Sequence, residues 1–169
     1  MLLQEDGDVG AAVDALRMAI FDAPDSAVAW QALAETYLGL GRRSQAVSCA
    51  KQALVHDRAL PAAHALMAVH LLREGEPKQA RVHAQRLVDA EPESADAHFL
   101  AARSYLGLAM WEQAIDASRR SIARDPQLAG AYNALGFAAL QVGRNGLALQ
   151  YLEAVTELPG LEAHMLNNL

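Results

Sequence analysis

The chain carries a single cysteine, Cys49, in 169 residues, so no internal disulfide can form and a zinc site built from cysteines is excluded. It has no surplus of positive charge. Lys and Arg number 14 against 20 Asp and Glu, a formal net charge of −6, which argues against nucleic acid or an anionic membrane surface as partner, since both attract clustered cations. No apolar stretch approaches the roughly 20 uninterrupted residues that a membrane-spanning helix needs; charge, Gly or Pro breaks each one. Met1-Leu2-Leu3 runs directly into Gln4-Glu5-Asp6, which is not a secretory leader pattern. The expectation is a soluble chain without membrane insertion, cytoplasmic if the chain is complete, with the compartment otherwise open. Aromatics are also scarce, 5% of a chain that is 53% hydrophobic. Small side chains must therefore close most of the core, which tight helix packing allows.

What is present is a period. Trp30, Leu33, Ala34 and Tyr37 fall at i, i+3, i+4 and i+7, one face of a helix. Gly39-Leu40-Gly41 predicts a turn, and Ala46, Ala50 and Ala53 predict a second helix whose contact face is small enough for close approach. The same unit recurs at 34 residues: Ala12, Ala46, Ala80, Ala114 and Ala148 share one phase, and Trp30, His64, His98 and Tyr132 share another. So do Leu33, Met67, Ala101 and Leu135, then Ala34, Ala68, Ala102 and Gly136, then Tyr37, Leu71, Tyr105 and Ala139. Pro24, Pro92 and Pro126 hold a further phase, with Arg58 where a proline would complete it. A fixed period of this length marks a stacked helical array.

Side chains that could carry chemistry fit the array better than a reaction. No two of the six histidines lie at i,i+3 or i,i+4, so no helix face offers a chelating pair, and no metal site is expected. His64 and His98 occupy a packing slot. Cys49 sits among Ala46, Ala50 and Ala53 and reads as an inert buried thiol. Glu91-Pro92-Glu93 and Asp6-Gly7-Asp8 lack the further ligands of a calcium loop and read as a helix terminus and a turn. With no strand and no Gly-rich phosphate loop, neither catalysis nor a cofactor is expected. Trp111 opens a helix where the period asks for no tryptophan; it covers a neighbouring turn or marks a convex-face contact.

These phased residues, aromatic, Leu, Ala, Tyr, Ala and Pro at 34-residue spacing, resemble the tetratricopeptide repeat family over almost the whole chain. The resemblance implies an all-α, right-handed solenoid of stacked antiparallel helix hairpins, each an A helix, a turn and a B helix. In that register complete repeats occupy 27–60, 61–94, 95–128 and 129–162. Residues 1–26 form a partial repeat with the tail of an A helix, a turn at Asp6-Gly7-Asp8 and a B helix over Val9–Phe21, and 163–169 begin a further, truncated one. The chain then reads as a segment of a longer array. Gly39, Gly41, Gly75, Gly107 and Gly143 mark the ends of A helices, Pro61 and Pro77 stand in first helical turns, and Ser26 and Ser94 are placed as N-caps.

The resemblance also implies a function class, a non-catalytic protein-interaction scaffold, and a place for it. A helices line the concave face, and the family's inward positions fall here on Gln31, Glu35 and Leu38, on Val69, Leu72 and Arg73, on Phe99, Arg103 and Leu106, and on Asn133, Phe137, Leu140 and Gln141. This apolar strip with sparse polar groups suits a peptide or helix of a partner protein. Phe99 and Phe137 are expected to face the groove, Leu38, Leu72 and Leu106 to lie either there or between A helices, and Arg103 to hold a carboxylate or to pair with Asp96 or Glu112. Family members that clamp acidic chaperone tails use Lys, Arg and Asn at positions held here by Gln31, Glu35, Ala65, Val69, Phe99 and Arg103, so that subclass does not fit. Two alternatives remain: a self-assembly module stacking through Val9–Phe21 and Leu161–Leu169, giving a homo-oligomer, or the regulatory repeat region of a larger enzyme.

Overall fold

A computed structural model of the chain describes residues 2–156, with side chains from Gly10 onward. The described residues form nine helices and no strand: α1 (Leu2–Asp22), α2 (Ala27–Gly39), α3 (Arg43–His56), α4 (Pro61–Arg73), α5 (Pro77–Ala90), α6 (Ala95–Gly107), α7 (Trp111–Arg124), α8 (Ala129–Gln141) and α9 (Asn145–Thr156). The hairpins α2/α3, α4/α5, α6/α7 and α8/α9 stack in chain order as a right-handed α-solenoid, each B helix packing on the next A helix, with α4 on α6 and α6 on α8 along the A layer. The further repeat start over 163–169 and the stacking end Leu161–Leu169 lie outside the described residues.

Alanine closes each hairpin. Ala46, Ala80, Ala114 and Ala148 are completely buried, as are Ala34, Ala68 and Ala102 on the facing A helices. A methyl group at each crossing lets backbones approach to the short end of the usual helix–helix separation of about 8–10 Å. At the fourth hairpin the pattern changes on both sides at once: Gly136 stands in the alanine phase, and a Cβ built on it would lie 2.6 Å from Leu152 Cγ.

Within each hairpin a three-residue turn reverses the chain, and all four turns share one hydrogen-bond pattern. The N–H groups of Arg42, Glu76, Met110 and Arg144 donate to the carbonyls of Tyr37, Leu71, Tyr105 and Ala139 at 2.8–2.9 Å, the closure of a Schellman motif. The residue before each donor has positive φ: Gly41, Gly75 and Gly143, but Ala109 in the third turn, at φ 55°. Gly107 ends α6 as expected, against Pro77, where a Cβ would sit 2.7 Å from the ring. A left-handed non-glycine residue costs about 1–2 kcal/mol, partly offset in glycine by about 0.5–1 kcal/mol of chain entropy. Ala109→Gly should therefore raise stability by about 0.5–1 kcal/mol, read as a higher urea midpoint at unchanged slope.

Between hairpins a four-residue linker is pinned by the ring that follows it. Trp30 Nε1, His64 Nε2, His98 Nε2 and Tyr132 OH donate to the carbonyls of Pro24, Arg58, Pro92 and Pro126, each six residues earlier, at 2.8–2.9 Å. This explains why Trp, His and Tyr interchange at one phase. The slot asks for a flat body and a polar donor at its tip, and the acceptor is a backbone carbonyl, so Arg58 serves as well as proline. Ser26 and Ser94 cap α2 and α6 through Oγ, accepting from the N–H groups of Ala29 and Ala97. Pro61 and Pro77 begin α4 and α5, where a missing N–H costs nothing.

The first helix departs from the sequence reading. The turn expected at Asp6-Gly7-Asp8 is absent, and α1 runs unbroken through it. The backbone keeps its intrahelical hydrogen bonds by continuing through Gly7, at about 1 kcal/mol for the glycine. Ala12 shares the phase of the buried alanines yet is exposed, together with Met18 and Phe21, because no described A helix faces it. Val13, Leu16 and Ile20 pack α1 onto the first complete hairpin instead.

Candidate peptide groove and convex crevices

The A helices place the candidate residues in three groups. Gln31, Glu35 and Leu38 of α2 meet Val69 and Arg73 of α4 around an open cleft of about 760 Å³, floored by Ala62 and Ala65 and edged by Arg43, Val47 and His70. Gln31 lines this cleft from a nearly buried position. It is 8% exposed, its amide donates to Glu35 Oε1 at 2.9 Å, and its own Oε1 has no hydrogen-bond partner among the described residues. The edge residues Arg43 and Val47 stand on a B helix, outside the inward positions of the A helices, because the first turn of α3, directly after the Gly41 turn, also borders the cleft.

The second group is Phe99 and Arg103 on α6. Phe99 is half-buried and not fully presented. Its ring lies across the start of α8, where a Cβ on Gly130 would approach it to 2.6 Å, and the Arg103 guanidinium sits over it at 5.8 Å from the centroid, a cation–π arrangement. Neither ion pair foreseen for Arg103 forms. Glu112 binds Arg144 at 2.9 Å instead, and Asp96 makes no ion pair among the described residues. Burial first, and then the like charge of Arg73, push Arg103 below the ordinary arginine value; it remains a cation.

The third group lies on α8. Phe137 and Leu140 are 49% and 46% exposed, Asn133 and Gln141 are exposed, and Trp111 from α7 meets Phe137 edge to face at 6.1 Å. Trp111 thus packs against a ring of the candidate face, and not as the turn cover or convex-face contact the sequence suggested. The phased leucines divide. Leu38 and Leu140 are exposed, whereas Leu72 and Leu106 are half-buried and join the core.

On the opposite side the ring slot generates a second regular feature. The residue 19 after each slot ring is Cys49, His83, Ala117 or Tyr151. Where it is small a crevice opens: about 420 Å³ beside Trp30 and Cys49, and about 330 Å³ beside His98 and Ala117. Where it is a ring the crevice is filled, with His83 on His64 at 5.1 Å between centroids and Tyr151 on Tyr132 at 6.0 Å. Small and ring residues alternate at this phase, a signal present in the sequence but invisible until the slot is known to face it. In the first crevice Arg17 donates to the Tyr37 hydroxyl at 3.0 Å. Cys49 is buried, and burial pushes its thiol up, only partly offset by Arg17; the thiol form persists, as expected of an inert packing residue.

His64 and His83 face each other through Nδ1 atoms 2.9 Å apart. With His64 Nε2 donating to Arg58, its Nδ1 accepts from His83. Burial, then His64 and Arg86, lower the His83 value from 6.5. A histidine whose folded value lies below its unfolded value contributes stability that is complete above about pH 6.5 and declines as pH falls below it, since the unfolded chain then binds more protons. Thermal midpoints should accordingly drop from pH 7.5 to pH 5.5, and His83→Gln should flatten that part of the profile; equal slopes in both proteins would refute the assignment. Among the described residues no group of three or more His, Cys, Asp or Glu side chains could hold a metal ion, and no helix is long and apolar enough to cross a membrane.

Comparison with known proteins places this geometry. Several solved structures share the fold: a crystal structure of MamA, 22% identical, matches 95% of this chain and 94% of its own with a TM-score of 0.80. MamA 41-end from Desulfovibrio magneticus RS-1 is 21% identical, with 92% and 88% covered and a TM-score of 0.78. YrrB, described as a TPR protein with an unusual peptide-binding site, is 18% identical over 98% of this chain and 87% of its own, also at 0.80. No curated protein matches the sequence. Tetratricopeptide repeat patterns match residues 3–69 and 96–128, between them more than half of the chain, and with the buried alanine register and the repeated turn they show that this chain belongs to the tetratricopeptide repeat family.

Proposed function

We propose that the protein is an interaction scaffold whose concave face binds a peptide segment of a partner protein, without catalysis of its own. The observation that carries this reading is the presentation of Leu38, Phe137 and Leu140, each more than two-fifths exposed, along the A layer beside an open cleft and a half-buried cation. Large exposed apolar side chains grouped on one face mark a docking surface. The family and the likeness to YrrB, itself described as having a peptide-binding site, support an interaction role in general. Four A helices about 10 Å apart span a distance that an extended segment of about ten residues would cover at about 3.3 Å per residue.

The test is selection from a displayed library of random peptides slightly longer than that span, followed by affinity measurement on the enriched sequences. Replacing Phe99 and Phe137 by Ala together should weaken binding by about thirtyfold or more, the effect of removing a buried aromatic anchor, while far-UV circular dichroism stays helical. Unchanged affinity in the helical double variant would reject the groove.

A further inference from the structure

Resting on that groove reading, we infer that the segment it accepts carries a short acidic patch of one or two carboxylates with a large apolar or aromatic side chain beside it on the α8 side, and not an extended acidic tail. The guanidinium of Arg103 is the centre of the argument. Phe99 covers one of its faces, and no acceptor for its five N–H donors occurs among the described residues. Among the described residues no Asp or Glu lies within ion-pair distance of Arg103, and Glu112, one of the two acids foreseen for it, binds Arg144 at 2.9 Å instead. Arg73 adds a second positive charge close enough to act on Arg103. A planar fork with one face stacked and its edges free is the geometry that binds a carboxylate side-on.

Two neighbours limit what surrounds that carboxylate. Towards α2 the cleft contains Glu35, whose Oε1 takes only the neutral amide of Gln31, so a run of acids continuing in that direction would meet like charge. Towards α8 the surface turns apolar, with Phe137 held edge-on by Trp111 and Leu140 exposed beside it. Adjacent A helices lie about 10 Å apart, so in an extended ligand the apolar anchor falls about three residues from the acid.

The composition of peptides selected on the intact chain decides the matter. Enriched sequences should share one or two Asp or Glu about three positions from Phe, Trp, Tyr or Leu. Arg103→Gln should weaken such a peptide by about tenfold or more, Arg103→Lys should recover part of that loss, and a peptide with its acid replaced by Ala should bind both proteins alike. Raising salt should weaken only the acidic peptide. Enriched peptides without an acid preference, or with long acidic runs, would overturn this inference while leaving the groove intact. Failure to enrich any peptide would reject the groove reading and the inference together.

Discussion

Gly136→Ala is expected to destabilise the protein by about 1–3 kcal/mol, the cost of forcing atoms into a filled core, or a drop of about 2–4 °C in thermal midpoint per kcal/mol at this chain length. The new methyl would lie 2.6 Å from Leu152 Cγ, a branch point close to the backbone of α9 that cannot yield without moving the helix. In the other three hairpins the phase of Gly136 holds Ala34, Ala68 and Ala102, and the phase of Leu152 holds Ala50, Ala84 and Ser118, all buried. The fourth hairpin has exchanged volume across the interface: the B helix gained a leucine and the A helix gave up a methyl. The double variant Gly136→Ala/Leu152→Ala restores the alanine pairing, so Leu152→Ala should cost less in the Gly136→Ala background than in the unsubstituted chain. A coupling energy above about 0.5 kcal/mol is expected from denaturation of the four proteins of the cycle. Additive effects would show that the two sites do not share one space.

The other large effect concerns the alanine register itself. Ala114 is completely buried, and Ala114→Leu must wedge three further carbons between α6 and α7, costing about 1–3 kcal/mol or more. Ala12 occupies the same phase and is exposed. Ala12→Leu should therefore change stability by no more than about 0.5 kcal/mol. Urea denaturation of both variants tests the pair, and a large loss at Ala12 would mean that α1 has a packing partner the described fold does not give it.

Much of the solenoid was legible in the residues. Each turn of α2 to α8 that packs inward does so through residues phased at 34, and the caps Ser26 and Ser94 sit where a helix must begin. The groove was legible only in outline. Spacing put Phe99 and Phe137 on inward positions, but it could not say that Phe99 lies over Gly130 while Phe137 is presented, because that depends on which small residue the next A helix offers. Leu72 and Leu106 join the core and Leu38 and Leu140 do not, although all four share one phase, so the phase alone does not carry the difference. Gln31 went to the cleft floor, bonded to Glu35.

By itself the sequence determined the hairpin, its period and the small-residue contact that closes it, because those depend on residues three, four or 34 apart and on side-chain volume. Only the tertiary structure decided where equal phases have unequal fates: Ala12 against Ala114, Gly136 against Ala102, the open crevice beside Cys49 against the one filled by His83. Those outcomes depend on what stands across the gap, and a chain does not state its neighbours until the helices have stacked.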